Sequence, residues 1–274
     1  ITPFNFPLNL ALHKICPALI AKNTVILKPS PKAPLTALKL ANAFSQSGLP
    51  KGAINVILAT NEESLHLINN KSINIISFTG SSKVGKMIQT LRPHIPVLLE
   101  CGGTAPLIIH DSSHLKSLAK IAIQSAFTYS GQTCISLQNI FCHHTIFEEF
   151  KALLLEEIAP IVPRHPLTEN SMISSVIDAN ACEEITRSIQ EFKSLDESEI
   201  LWGGITNGNT IFPTLIETSN CHNEWLNKEI FGPVVSLSSF TNNDDLIQHL
   251  NQSHYGLQAG VYTNKLSVAN QYIH

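Results

Sequence analysis

The sequence predicts an α/β fold in which helices cross over between parallel strands, divided into two units. Three features carry that expectation. Short β-branched or apolar runs alternate with helical patterns along most of the 274 residues. Glycines stand where an apolar strand turns into a helix, as at Gly80 and Gly85. A double glycine, Gly102-Gly103, interrupts the rhythm and sets the expected boundary between units 1–102 and 103–274.

Taken in order, Thr24–Leu27 is a β-branched strand that stops at Lys28-Pro29. Pro34–Ser47 is an expected helix with Leu35, Leu38, Ala41 and Phe44 on its apolar face and Gly48 as its stop. Strand Ile54–Leu58, helix Glu62–Asn69, strand Ile73–Phe78, helix Ser82–Leu91 and strand Val97–Glu100 complete the first unit. In the second, strand Leu107–Ile109 leads into a long helix over Ser112–Tyr129, then strand Ser136–Cys142 and helix Ile146–Ile158. The polar stretch Arg164–Met172 is an expected surface excursion. Helix Asn180–Lys193, a strand around Ile200 and strand Val234–Phe240 follow.

Composition narrows the function classes. Hydrophobic residues make up 43% of the chain and charged residues only 14%, below the roughly 25% usual in soluble domains. That deficit is expected where surface is normally covered by other protein. A net charge of −3 gives no basic footprint for nucleic acid. The densest apolar stretch, Ile15–Ile26, is broken by Lys22 and Asn23, so no membrane span is expected. The six cysteines form no CxxC pair and the histidines form no HExxH, which argues against a metal cage and for reduced thiols in a cytoplasmic setting.

Three local features could carry chemistry. Phe78-Thr79-Gly80-Ser81-Ser82-Lys83-Val84-Gly85 runs from strand to helix, an arrangement that aims backbone N–H groups at a phosphate, although many such turns bind nothing. Ser130-Gly131-Gln132-Thr133-Cys134 places a thiol among small and polar residues in a loop, open to substrate if the thiolate is favoured. An isolated cysteine more often packs as a small hydrophobe, which is the expectation for Cys16, Cys142 and Cys182. Cys101 stands between these cases. Glu100 ends an apolar strand beside the double glycine, where a carboxylate is placed either for general-base work or as a plain strand-end charge.

Together these segments resemble the aldehyde dehydrogenase superfamily. The motifs are Pro3-Phe4-Asn5-Phe6-Pro7, Leu27-Lys28-Pro29-Ser30, Phe78-Thr79-Gly80-Ser81, Glu100-Cys101-Gly102-Gly103, Gly131-Gln132-Thr133-Cys134 and Glu229-Ile230-Phe231-Gly232-Pro233. They occur in the family's order and at its spacing, across nearly the whole chain. Phe212-Pro213-Thr214, Tyr255-Gly256-Leu257 and Ala259-Gly260-Val261 also look like family segments. The resemblance implies a doubly wound, Rossmann-like cofactor domain over 1–102 and an α/β catalytic domain over 103–274, each incomplete. It implies oxidation of a small aldehyde to a carboxylic acid with NAD or NADP. By the same resemblance Cys134 is the nucleophile, Asn5 with the Cys134 N–H the oxyanion donors, and Glu100 the base that activates water. Lys28, Ser30, Gly80, Ser81 and Gly85 fall in the cofactor-binding segments, with Glu229 for the nicotinamide ribose and Phe231 packing nearby. No metal is implied. The family also implies a homo-oligomer, dimer or tetramer, in a longer protein of which this chain is the central piece.

Two positions depart from the pattern. Many NAD-preferring members carry a glutamate where this chain has Pro31, and Lys32 follows it, so NADP is expected to be tolerated. Cys101 and Thr104 replace the family's usual leucine and lysine beside Glu100, a packing change that puts a second thiol next to the base. The presence of Glu100 separates the chain from members that pass the acyl group to coenzyme A. Two other functions stand beside this one: an inactive truncated remnant serving at most as an interaction partner, and a cysteine hydrolase, for which the sequence offers Cys134 no persuasive histidine partner.

Overall fold

The computed structural model describes residues 1–273, and the chain divides into two compact units with the division between Gly102 and Gly103. The first unit runs α1 (Asn9–Ile20), β1 (Val25–Leu27), α2 (Pro34–Ser45), β2 (Ile54–Val56), α3 (Ser64–Asn69), β3 (Ile76–Thr79), α4 (Ser82–Leu91) and β4 (Val97–Glu100). Its strands pair in parallel, β1 with β2 and β3 with β4, as two short ladders rather than one. Residues 1 and 2 bond to both. The amino group of Ile1 donates to the Ser77 carbonyl, the Thr79 N–H donates to the Ile1 carbonyl, and the Thr2 N–H donates to the Lys28 carbonyl.

Each ladder has its own small core. Ala11, Ile15, Leu27 and Ala37 form one, with Leu40 and Phe44 against it. Ile68, Ile76, Phe78 and Ile88 form the other. The buried face of α2 is therefore Ala37, Leu40 and Phe44, a correction to the expected face, because Leu35 and Leu38 are exposed. The expected face and the observed one are about a third of a turn apart on the same helix, and periodicity alone does not choose between two apolar stripes. The Arg92 guanidinium donates to the carbonyls of Ile68, Asn70 and Ile73, supplying partners at the C-terminal end of α3 that the helix itself leaves open. A groove of about 480 Å³ lies between β1 and β3, on the side of the strands' amino ends, and no predicted site residue lines it.

The second unit is built on β5 (Pro106–Ile109), α5 (Leu115–Phe127), β6 (Asn139–His143), α6 (Phe147–Ile158), α7 (Ala179–Lys193) and β7 (Ser198–Trp202). There follow β8 (Thr206–Asn207), β9 (Thr210–Ile211), β10 (Thr214–Thr218), β11 (Val234–Phe240), α8 (Asn243–Asn251), β12 (Gly260–Tyr262) and α9 (Leu266–Ile273). Six strands make one sheet in the order β12-β5-β6-β11-β10-β7, parallel except where β7 runs against β10. Helices cover both faces. Ile140, Cys142, Val235 and Leu237 face α5 and α6, whereas Phe141, Val234 and Phe240 face α7 and α8. A parallel sheet buried on both sides needs near-continuous apolar strands, which is what β6 and β11 supply.

Phe127, at the C-terminal end of α5, is fully buried in the core beneath the helices α5 and α6. Phe127→Ala is expected to cost about 3–5 kcal/mol, through lost transfer energy and the cavity left behind, read as a lower urea midpoint for the second unit. A loss below about 1 kcal/mol would show that the core does not depend on it.

Candidate active site

The predicted site residues fall into two sets, one in each unit. In the second unit the Cys134 loop begins where α5 ends. The chain turns through Tyr129 (φ 62°), Ser130 (φ 56°) and Gly131 (φ 67°), three consecutive left-handed residues of which only one is glycine. Left-handed backbone costs roughly 1 kcal/mol at each non-glycine position. Ser130 offsets that locally: its hydroxyl accepts from the Ser174 N–H at 3.0 Å and donates to the Ser174 carbonyl, while its N–H donates to Met172. Next to it the buried Gln132 side chain accepts from the Ile177 N–H at 2.9 Å. Ser136 closes the far side of the loop, its N–H donating to the Thr133 carbonyl and its hydroxyl to Ala126.

Cys134 is left half-buried by this arrangement, in contrast to Cys142, which is sealed in the core. Burial pushes the Cys142 thiol up to about 12, so it stays protonated and inert. Cys182 is likewise buried and Cys221 is raised by burial. Cys16 and Cys101 are half-buried, the Cys101 sulfur lying against Gly85 of α4.

Glu229 and Phe231 lie on a second loop, and glycines lock it to the first. A Cβ on Gly131 would stand 2.1 Å from the Gly232 carbonyl oxygen, so the two backbones touch with no room for a side chain. A Cβ on Gly103 would stand 2.9 Å from the Cys134 carbonyl oxygen, and the Gly103 N–H donates to Glu229 Oε1 at 3.2 Å. Gly103 thus touches the thiol loop on one side and the carboxylate on the other. Phe231 is held at φ 54°, again left-handed, in the turn that follows. A cavity of about 10 Å³, near the size of one water, sits among Gly103, Gly131, Thr133, Ser136, Gln138, Glu229 and Phe231.

Sequence reasoning missed Gln138. Its buried side-chain amide donates to the Lys228 carbonyl at 2.6 Å and accepts from the Ile230 N–H at 2.8 Å, holding the backbone on both sides of Glu229. The signal was present as Gln138-Asn139, two polar residues at the start of an otherwise apolar strand. Asn139 is also buried and bonded, to the Leu226 carbonyl and the Ser236 hydroxyl.

In the first unit Lys28, Gly80, Ser81 and Glu100 all stand at the carboxyl ends of β1, β3 and β4, where ligands of parallel α/β sheets bind. The Gly80 N–H donates to the Glu100 carbonyl, so these two strand ends are adjacent. Ser81 is the N-cap of α4 and its side chain makes no cap bond; with no acidic residue in the helix's first turn, the N-terminal N–H groups fit an anion. Lys28 is buried and burial lowers its pKa; its ammonium reaches Asn61 Oδ1 at 3.4 Å. Ser30 accepts from the Lys32 N–H, and Asn5 is buried just before α1. Glu100 is exposed. Within this unit the groups that could meet an anion or a hydroxyl are the Lys28 ammonium and the N-terminus of α4. Among the described residues no cluster of three or more His, Cys, Asp or Glu is arranged to hold a metal ion, and no helix is long and apolar enough to cross a membrane.

These features define a class: a parallel α/β protein that presents a thiol on a pinned loop and carries a phosphate-receptive strand–helix turn. The chain belongs to the aldehyde dehydrogenase family, whose sequence pattern matches residues 1–274. It is 36% identical over 271 residues to 3-sulfolactaldehyde dehydrogenase of Priestia aryabhattai, covering 98% of this chain and 56% of that protein. Over 278 residues it is 37% identical to lactaldehyde dehydrogenase of Methanococcus maripaludis strain C7, covering 98% and 58%. Among solved structures it is similar to indole-3-acetaldehyde dehydrogenase in complex with NAD+, with a TM-score of 0.94, 29% identity and coverage of 99% and 57%. The NADP complex of an NADP-dependent glyceraldehyde-3-phosphate dehydrogenase from Bacillus halodurans C-125 gives a TM-score of 0.93, 31% identity and coverage of 98% and 57%. The chain therefore spans less than three-fifths of the length of each.

Burial raises the Glu229 carboxyl above its ordinary range, and the Gly103 N–H works against that shift. A carboxyl raised in the folded chain holds its proton more tightly there than in the unfolded chain, so stability falls as pH rises through its titration. Glu229→Gln keeps an acceptor for Gly103 and removes the buried charge. It is expected to melt at the same temperature as the parent or higher near pH 7, with the difference closing toward about pH 4. A clearly lower melting temperature at neutral pH would contradict this account.

Proposed function

We propose that the protein oxidises a small aldehyde to its carboxylic acid with NAD or NADP, using Cys134 as the nucleophile. The carrying observation is the contrast among thiols in a chain of this family: Cys134 is half-buried on the loop whose Gly131 meets Gly232, close after Glu229 in sequence, while Cys142 is sealed and held protonated.

In this reading the Cys134 thiolate attacks the aldehyde carbon and a thiohemiacetal forms. The Asn5 side-chain amide and the Cys134 N–H donate to the oxygen as it becomes negative; one such donor is worth about 3 kcal/mol. Bound nicotinamide supplies the hydride acceptor. Cys134 then carries a thioester. Glu100, exposed at the end of β4, takes a proton from water, which attacks the thioester carbon and releases the acid and the thiol. Lys28 and Glu229 would hold the two riboses, and the α4 N-terminus with Ser81 the pyrophosphate. The names of the two curated relatives favour small hydroxylated aldehydes of the lactaldehyde type as substrates. A homo-oligomer is part of the same reading.

Two outcomes follow. Glu100→Gln is expected to give a single burst of cofactor reduction, about one per Cys134, and then lose at least about a hundredfold in steady-state rate, measured by stopped flow with lactaldehyde. Full turnover by that variant would exclude Glu100 as the base, and a chain 1–274 that reduces neither cofactor would favour the inactive-remnant function. Secondly, Pro31 leaves no carboxylate to repel a 2′-phosphate, and Lys32 lies close by, its ammonium 5.7 Å from the Phe4 ring centre. NADP is therefore expected to bind at least as tightly as NAD in a fluorescence titration. A clear preference for NAD would remove this point.

A further inference from the structure

We infer that Gln138 is a positioning residue that sets where the Glu229 carboxylate stands, and so sets cofactor affinity without acting on the Cys134 thiol. The inference rests on the reading of Glu229 as a cofactor ligand and extends it.

The geometry is that of a bidentate clamp. One side-chain amide uses its N–H on the Lys228 carbonyl at 2.6 Å and its oxygen on the Ile230 N–H at 2.8 Å, bracketing Glu229. Gln138 is itself held at three points. Its carbonyl accepts from the Ser236 N–H of β11, its N–H donates to the Ala105 carbonyl, and its side chain is buried at 5% exposure. The clamp is therefore anchored through its own backbone to β11 and to the residue that precedes β5. A residue here that only filled space could be apolar, as its neighbours Leu137 and Ile140 are. The amide instead satisfies exactly two backbone groups, and those are the ones flanking the single carboxylate on the loop.

Glu229 has one further restraint, the Gly103 N–H at 3.2 Å, which fixes one oxygen but not the course of its backbone. Without the clamp the Lys228–Ile230 segment loses two bonds while the Gly131–Gly232 contact still holds the loop's far end. The carboxylate would then move relative to its site, and the thiol loop, restrained by Ser130, Gln132 and Ser136, would not. Separating these two effects distinguishes a positioning role from general packing.

The test uses chain 1–274 with Gln138→Met, which keeps the volume and removes both bonds, beside Glu229→Gln and the double variant. Affinity for NADH and NADPH is read by fluorescence titration, Cys134 by its rate of alkylation with iodoacetamide, and Glu229 by titrating its side-chain carboxyl ¹³C signal. Partners that orient a ligating side chain are commonly worth 10- to 100-fold in affinity, known best for metal sites. Gln138→Met is expected to weaken cofactor binding about tenfold, to leave the alkylation rate within about twofold, and to add nothing on top of Glu229→Gln. The Glu229 titration should move toward the ordinary carboxylate range as the segment opens to water. Unchanged affinity in Gln138→Met with weakened binding in Glu229→Gln would overturn the inference and leave Glu229 as a ligand. Unchanged affinity in Glu229→Gln would instead remove the ligand reading, and a shifted Glu229 titration in Gln138→Met would still support positioning. Should the parent chain bind neither cofactor, the carboxyl titration decides alone, and an unmoved signal overturns the inference.

Discussion

Gly131 lies so close to the Gly232 carbonyl that a single added carbon would overlap it, and the second unit's chemistry is arranged around that contact. It brings the backbone that precedes Cys134 against the backbone that follows Glu229 and Phe231. Ile230 anchors the second loop in the apolar core it shares with α7, and both loops are further held by hydrogen bonds and by glycines that let main chains meet. The arrangement requires three left-handed residues in a row and a fourth at Phe231, a local strain of a few kcal/mol placed where the residues of interest are. The buried sheet with helices on both faces is what allows the chain to carry that strain, because its strands stay paired whatever the loops do.

The first unit solves a different problem with less. Its strands are three or four residues long and its two cores are small, so little of its stability comes from depth of burial. What it offers is direction. Parallel strands end on one side, and Lys28, Gly80, Ser81 and Glu100 are simply the residues at or just past those ends. The β3–α4 turn then presents unpaired helix N–H groups without any basic side chain being needed to bind an anion. The groove between β1 and β3, though far larger than the cavity beside Glu229, is lined by none of the predicted site residues.

Much of this was legible in the sequence where physics is local. Helix Ser82–Leu91 and strands Val97–Glu100 and Val234–Phe240 stand where the apolar pattern and the turn residues place them. The helix at Asn9–Ile20 was not foreseen, because Pro17 lies inside it and no capping side chain announces its start. The helix expected to reach Tyr129 stops at Phe127, since Tyr129 and Ser130 turn left-handed through bonds to Met172 and Ser174, far away in sequence. Strand Thr214–Thr218 was missed because it is short and carries Glu217 in place of a continuous apolar run, although its partners β7 and β11 are close in sequence. The glycines were visible as motif letters. Their reason was not, since it lies in which backbone each one touches.

Gln138 and Asn139 show the same limit from the other side. Among the buried apolar residues Leu137, Ile140, Phe141 and Cys142, which lead into and form β6, a pair of buried amides adds little to stability, because apolar residues of equal size would pack at least as well. Each amide group pays for its burial only by meeting specific partners, the Lys228 carbonyl and Ile230 N–H for one, the Leu226 carbonyl and Ser236 hydroxyl for the other. Leu226 ends the Trp225 turn and Lys228 and Ile230 flank Glu229, so two consecutive residues, Gln138 and Asn139, fix the course of the segment that carries Glu229, while Ser236 ties Asn139 to β11. Misplacing that loop would leave both polar groups of the Gln138 amide buried without these partners, a larger penalty than the bonds are worth when made. The loop is therefore specified less by what stabilises it than by what any other path would cost.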